Sequence, residues 1–323
     1  MVSVSALIIG EDFAGMRSQA CGLAVRAEWQ SAFHPVRPSR LSRLLLRGPE
    51  MLSRRCLADL NGVDLVKEAQ KTAQMLISIG GKGGAAGAAL SAVAGLPVVQ
   101  IQHPRQALSR FNLILACVHD EINGPNVLLG RTALHGLTPE VLEQVRAEWM
   151  PRFAHLPRPL TAALVGGSNG RFSFGVREAA SLGDALAVTT ADSRGSLMVT
   201  PSRRTDPAAL AVLTERVHAV GGEVWNGEGD NPYKGLIACA DQIVVTTDSV
   251  SMVSEAVAGT APVSVFPLPG RSRRIFRFVD ELVKARRVRL LESRAQRLPE
   301  IWAVQPLDDT TELVGEMHRR LAL

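Results

Sequence analysis

The sequence predicts an α/β protein made of two doubly wound, Rossmann-like domains facing a cleft. Three observations carry this. Short β-branched runs alternate with helical spacing along the whole chain, the pattern of parallel sheets covered by helices on both faces. The alternation restarts after a proline-rich stretch near the middle. The length of 323 residues exceeds what one core usually holds.

Taken in order, the first half offers strands at residues 6–9, 75–79, 98–101 and 113–116. The second half offers strands at 162–165, 197–200, 243–245 and 263–266. Each is a short apolar run bounded by turn residues, as strands buried on both faces require. Helical spacing lies between them at residues 19–29, 85–94, 139–149, 206–220 and 249–258. The segment 150–160, MPRFAHLPRPL, carries three prolines and reads as a linker. The expected domains are therefore 1–155 and 156–306. Residues 307–323 form a closing helix, apolar at Leu313, Met317 and Leu321, that packs back on the first domain.

Composition narrows the class. Hydrophobic residues make up 46% and charged ones 21%, ordinary globular values, and no apolar run reaches membrane-spanning length. Aromatic content is 4% with Tyr233 the single tyrosine, which argues against a base-stacking nucleic-acid platform. The net charge of +5 favours anionic partners. Cys21, Cys56, Cys117 and Cys239 are scattered without a CxxC pair, so neither a zinc framework nor a disulfide scaffold is expected, and a reducing compartment is. The first residues lack a basic leader and run directly into a strand, unlike a signal peptide.

The most informative stretch is 242–256, QIVVTTDSVSMVSEA. A buried strand ends in Thr246, Thr247, Asp248 and Ser249, with Ser249 suited to cap the helix that follows. Ser251 and Glu255 lie one turn apart on that helix, away from the face of Val250, Val253 and Val257. Hydroxyls and free N–H groups with one carboxylate set back suit phosphates at the helix N-terminus and a ribose diol further in. The same residues also describe a capped helix with a solvated glutamate.

Other motifs stand after strands, where doubly wound sheets bind ligands. His119 and Asp120 fit general-base chemistry, or an aspartate that fixes its loop, and Glu11 and Asp12 after the first strand are rivals. Ser202-Arg203-Arg204-Thr205 leads into a helix, where two arginines can neutralise a diphosphate or decorate the surface. The frame Gly81-x-Gly83-x-x-Ala86 fits a relaxed dinucleotide fingerprint, but the acidic residue expected some twenty positions later is missing and no Walker lysine–serine ends the loop. Close backbone approach to a ligand or to the facing domain is the better use of these glycines. The segment 34–55 repeats Arg37, Arg40, Arg43 and Arg47 among leucines, a basic amphipathic surface for anionic lipid or an ordinary solvated helix. No Asp-x-Asp pair is present to hold a divalent ion on a sugar diphosphate; no metal site and no resident cofactor are expected.

In order, the motifs are Gly15-x-x-x-Gln19-x-x-Gly22-Leu23-Ala24, then His119-Asp120-x-x-x-Gly124-Pro125-Asn126-Val127, then Gly166-Gly167-Ser168. After these come Ser202-Arg203-Arg204-Thr205, Asn231-Pro232-Tyr233 and Asp248 through Glu255. Over nearly the whole chain this set resembles the mitochondrial fission "elongated mitochondria" family, which is itself similar to GT-B glycosyltransferases, especially the lipid-linked N-acetylglucosamine transferase of peptidoglycan synthesis. The resemblance implies a GT-B-like fold, with the first domain on the acceptor side and the second on the nucleotide-sugar side.

It implies further that Gly167, Ser168, Ser202, Arg203, Arg204, Asp248, Ser249 and Ser251 surround the donor phosphates, with Glu255 on ribose or sugar hydroxyls. Asp120 with His119, or Asp12, would then act as base. Gly15, Gln19, Gly81, Asn126, Asn231 and Tyr233 would line the remaining cleft. The first Gly-rich turn departs from the pattern, since no histidine stands near Gly15 as it does in some relatives. The activity so implied is metal-independent transfer of a sugar from a nucleotide diphospho- or monophospho-sugar to a membrane-lipid or cell-envelope acceptor. A nucleotide-sugar epimerase and a non-catalytic membrane scaffold are the alternatives. The expected location is cytoplasmic, peripheral on the inner face of the cell membrane, with no nucleic-acid partner.

Overall fold

A computed structural model describes residues 4–60, 63–292 and 297–322. The chain divides into two compact units: residues 1–136 with 309–323, and residues 137–308. Each is built on one six-stranded, wholly parallel sheet.

The first unit runs β1 (Ser5–Gly10), α1 (Ala14–Arg26), β2 (Gln30–Pro35), α2 (Arg40–Leu45), α3 (Glu50–Leu57), α4 (Leu65–Thr72) and β3 (Met75–Ile79). It continues through α5 (Gly80–Ala94), β4 (Val98–Ile101), β5 (Leu113–Cys117) and β6 (Val127–Gly130). The strand order β2-β1-β3-β4-β5-β6 places the topological switch between β1 and β3. Side chains alternate between two cores, as strand geometry demands. Leu7 and Ile9 face the helices α3, α4 and α5, while Ile8 faces Leu23 of α1. The glycines at the start of α5 bring that helix onto its own sheet: a Cβ on Gly83 would lie 2.6 Å from the carbonyl oxygen of Ile9. This corrects the expectation that they face a ligand or the other domain. Gly81 sits on the first turn, against the Arg105 side chain.

The second unit opens with α6 (Pro139–Trp149), capped by Thr138, whose Oγ1 accepts from the Val141 amide at 3.1 Å. It continues with β7 (Leu160–Val165), α7 (Val176–Ser193), β8 (Ser196–Pro201), α8 (Pro207–His218), β9 (Glu223–Val224) and α9 (Tyr233–Cys239). Then follow β10 (Gln242–Thr246), α10 (Val250–Val257), β11 (Val263–Phe266), α11 (Arg273–Lys284) and β12 (Val288–Leu290). The order β12-β11-β10-β7-β8-β9 puts the switch between β7 and β10. The unit boundary precedes α6 instead of following it at residue 155, because Val141, Leu142, Val145 and Trp149 pack into the core of the second unit. The prolines of 150–160 thus end α6 inside that unit and do not separate domains.

The final helix, α12 (Thr310–Leu321), completes the first unit. Leu313, Val314 and Met317 join the core beside Leu23 and Trp29. Asp309, just before it, binds Arg131 through Nε at 3.2 Å and Nη2 at 2.6 Å, and the Arg131 amide donates to it as well. No helix among the described residues is long and apolar enough to cross a membrane.

Candidate functional site

In the second unit the expected donor residues converge on the switch point. Asp248, at the carboxyl end of β10, has a fully enclosed side chain. It accepts from the Gly167 amide at 3.1 Å, from Thr246 Oγ1 at 2.7 Å and from Arg204 Nη2 at 2.7 Å. Arg204 Nη1 donates to the Gly167 carbonyl at 3.2 Å, and Thr205 Oγ1 donates to the Gly166 carbonyl at 2.5 Å. Thr246 Oγ1 in turn accepts from the Gly166 amide at 2.8 Å. The ends of β7, β8 and β10 are therefore tied by one buried carboxylate. Glycine is required at both turn positions: a Cβ on Gly166 would lie 2.2 Å from Asp248 Oδ1, and one on Gly167 would lie 2.1 Å from the Arg204 carbonyl oxygen.

This hub changes the expected roles. Asp248 and Gly167 belong to the framework, the aspartate enclosed beyond reach of a ligand, while Arg204 places one hydrogen bond from each terminal nitrogen in the hub and remains exposed. Ser202 closes the same turn, its Oγ accepting from the Arg204 amide at 3.1 Å. Ser168 Oγ accepts from the Phe174 amide at 2.9 Å and so orders the loop after β7. Thr205 and Thr246 hold the hub as much as any predicted residue does. The sequence signal for them was a hydroxyl at the end of β10 and another in the turn after β8, the two strands that flank β7.

Around the hub stand the remaining predicted groups, some exposed and some buried. Arg203 is exposed and forms no hydrogen bond or ion pair among the described residues. Ser249 caps α10 by accepting from the Met252 amide at 3.3 Å, while the amides of Val250 and Ser251 belong to the first turn, which has no intrahelical acceptors. Glu255 is 9% exposed one turn on, and the Tyr233 hydroxyl donates to its Oε2 at 2.5 Å. Asn231 positions that tyrosine, its Oδ1 accepting from the Tyr233 amide at 2.9 Å. Burial, followed by the neighbouring Glu255 carboxylate, holds the Tyr233 hydroxyl well above the usual phenol range.

In the first unit, His119 and Asp120 form a single helical turn after β5, both buried. Asp120 Oδ2 accepts from the Cys117 amide at 3.3 Å, which fixes that turn. Asp12 pairs with Arg17 at 3.3 Å on the surface, and Arg17 lies over the Phe33 ring at 4.9 Å. Across the switch of this sheet Lys82 Nζ meets Glu11 Oε1 at 2.6 Å, a pairing that periodicity does not reveal. Gln19 Oε1 accepts from Gln102 Nε2 at 3.1 Å beyond β4, and Gly15 stands in the first turn of α1. Asn126 is a staple, its Nδ2 donating to the carbonyls of Leu108 at 2.9 Å and Phe111 at 2.8 Å.

Comparison with known proteins places this geometry. The Arabidopsis thaliana mitochondrial fission protein ELM1 is 31% identical over 253 residues, 70% of this chain and 58% of its own length. The chain thus spans little more than half of that relative. Among solved structures, the UDP-GlcNAc 2-epimerase of Methanocaldococcus jannaschii is similar with a TM-score of 0.61 at 11% identity, covering 98% of this chain and 99% of its own. The MurG of Acinetobacter baumannii gives a TM-score of 0.54 at 14% identity, covering 98% and 91%. At such identities the likeness shows the fold alone, which is GT-B-like. The family model for mitochondrial fission ELM1 matches residues 14–321, and the chain belongs to that family.

Proposed function

We propose that this protein is a metal-independent glycosyltransferase. It would move a sugar from a nucleotide diphospho- or monophospho-sugar to a membrane-lipid or cell-envelope acceptor at the cytoplasmic face of a membrane. The observation that carries the reading is the hub at the switch of the second sheet, beside which Arg203 and the first turn of α10 face outward, with the buried Glu255 carboxylate one turn further in. Open α/β sheets bind nucleotides at such points. A helix N-terminus and an unpaired guanidinium attract phosphate, and a carboxylate set back by one turn accepts from a ribose diol. Solved neighbours of the same fold add support: a Neisseria meningitidis UDP-GlcNAc 2-epimerase is bound to UDP-GlcNAc, and SnogD of Streptomyces nogalater is a glycosyltransferase.

In this proposal Ser249, Ser251 and Arg203 meet the donor phosphates, and Ser168 and Ser202 shape the loops around them. Glu255, oriented by Tyr233, accepts from the ribose. Asp120, with His119 beside it, takes the proton of the acceptor hydroxyl, with Asp12 as the rival base. Arginine and the helix N-terminus then do the work that a divalent ion does in other sugar-diphosphate sites.

The test is a thermal-shift panel of UDP, GDP, CMP and their sugars. A ligand at a hundred times its Kd stabilises by about 2.7 kcal/mol, so a binder stands out and a flat response across the panel sinks the proposal. The epimerase reading is favoured by the 0.61 TM-score of the M. jannaschii enzyme. It predicts a free sugar-nucleotide product that forms with no acceptor present, which product analysis separates from transfer.

A further inference from the structure

The corner formed by α2 and α3 gathers exposed apolar side chains and a run of arginines, of which Arg54 and Arg47 also tie it to the first unit through the Val93 and Arg105 carbonyls. The three most exposed large hydrophobic side chains among the described residues all lie here: Leu41 at 66%, Leu44 at 68% and Met51 at 71%. Around them stand Arg37, Arg40, Arg43, Arg47, Arg54 and Arg55, against the single acid Glu50, a surplus of +5 that equals the net charge of the entire chain. Only Arg54 among these has a carboxylate partner among the described residues, Glu50 at 3.6 Å. Arg47 spends one nitrogen on a neutral group, the Arg105 carbonyl, at 3.0 Å.

The corner cannot turn to hide these groups. Leu46 and Leu57 are fully buried under it. Ser53 Oγ donates to the Leu45 carbonyl at 3.2 Å, and Ser39 caps α2 by accepting from the Ser42 amide at 3.0 Å. Leu41 and Leu44, three residues apart, therefore share a face that is held toward solvent.

From this we infer that the α2–α3 corner is a docking surface for an anionic lipid bilayer, with Leu41, Leu44 and Met51 entering the headgroup–acyl boundary and the arginines on lipid phosphates. The single sign of the charge selects the occupant. An acidic bilayer supplies a continuous field of phosphates to arginines that lack counter-ions, and its interface accepts shallow apolar side chains. The inference deepens the membrane-acceptor part of the proposed function, but it stands on the geometry of the corner alone.

Co-sedimentation of the full chain with vesicles tests it. The wild type is expected to pellet with phosphatidylcholine and phosphatidylglycerol mixed in equal amounts, less as salt rises, and to stay in solution with phosphatidylcholine alone. Arg37→Ala/Arg40→Ala should weaken partitioning about 30-fold, roughly one and a half tenfold steps for a pair of surface arginines. Leu41→Ser/Leu44→Ser should weaken it even at low salt. The inference is overturned if the wild type fails to pellet, if it pellets equally on the neutral vesicles, or if either double variant binds like wild type. Displacement by inorganic phosphate beyond that by chloride of equal ionic strength also overturns it, since the corner is then a simple anion site. Self-association of the wild type without lipid, abolished by the same substitutions, overturns it in favour of a second copy as occupant. All four replaced side chains are exposed, so the variants should fold. Their thermal shifts with the nucleotide panel should match wild type, which separates failure here from failure of the donor site.

Discussion

Tyr233 donates its hydroxyl to Glu255 Oε2 at 2.5 Å, linking the first residue of α9 to the second turn of α10. The glutamate proposed to meet the ribose is thereby held in one orientation before any ligand arrives. Glu255→Ala should abolish stabilisation by a nucleotide sugar, and Tyr233→Phe should weaken binding about 10-fold while leaving a buried acceptor short of one donor, a cost of about 1–3 kcal/mol. Calorimetric titration with the best ligand of the panel checks both. Equal affinity in Glu255→Ala and wild type removes the glutamate from the site. Intact cellular function in that variant would favour a scaffold.

Tyr233 is the only tyrosine in the chain, so the phenolate absorbance band reports on it alone. Burial, then the Glu255 carboxylate, raises its pKa. A group raised on folding adds stability that is fully present below the unfolded value near 10 and is lost as pH rises beyond it. The expected titration is a silent phenol past pH 10 in the native protein, with the band appearing together with loss of near-ultraviolet circular dichroism. Ionisation near pH 10 in the folded state would show the hydroxyl to be solvated.

Asp248 is the knot of the second unit. Asp248→Ala removes the acceptor for an amide, a hydroxyl and a half-exposed guanidinium, and leaving buried donors unpaired costs about 1–3 kcal/mol. Urea unfolding followed by fluorescence should show a lower midpoint in this variant. Gly167→Ala should be at least as damaging, since its methyl meets the Arg204 backbone, which has no free rotamer to yield. Arg203→Ala, by contrast, should leave stability unchanged and weaken donor binding.

Asp309 is the acid-sensitive point of the first unit. Burial raises its carboxyl, but the hydrogen bonds from Arg131 outweigh burial and hold it below the usual range. A lowered pKa means that the stabilisation is present above about pH 4 and is lost as pH falls through the folded value. Asp309→Asn should cost about 1–3 kcal/mol at neutral pH, and the gap to wild type should shrink in acid. Thermal melts at several pH values measure it. A gap that grows in acid refutes the assignment.

Much of the architecture was legible because burial on both faces leaves a strong signature. Met75–Ile79, Val98–Ile101, Pro139–Trp149 and Val263–Phe266 match their expected bounds. β2 was not expected: its Gln30, Ser31 and Ala32 are exposed on an edge, where no apolar run marks a strand. α7 is rich in alanine and threonine with little apolar contrast. α11 could have been found, since Ile275, Phe278, Val279 and Leu282 repeat at helical spacing behind the Ser272 cap. At the site, the sequence showed which strand ends carry polar residues but not which of them spend their hydrogen bonds on one another. Spacing cannot distinguish Arg204, tied to Asp248, from Arg203, which has no such tie, though both are exposed. That difference is set by tertiary packing.

The return of α12 has a consequence for synthesis. Residues 137–308 are an insertion, leaving the first unit at Gly136 and re-entering at Asp309, where Asp309 binds both Arg131 and Thr132. Nascent chains generally fold domain by domain from the amino terminus. Here the ribosome must deliver the whole second unit before the seat for Met317, in the core beside Leu23 and Trp29, can be filled. Until α12 emerges the first unit keeps an incomplete apolar face, which is what a chaperone would find on the nascent chain.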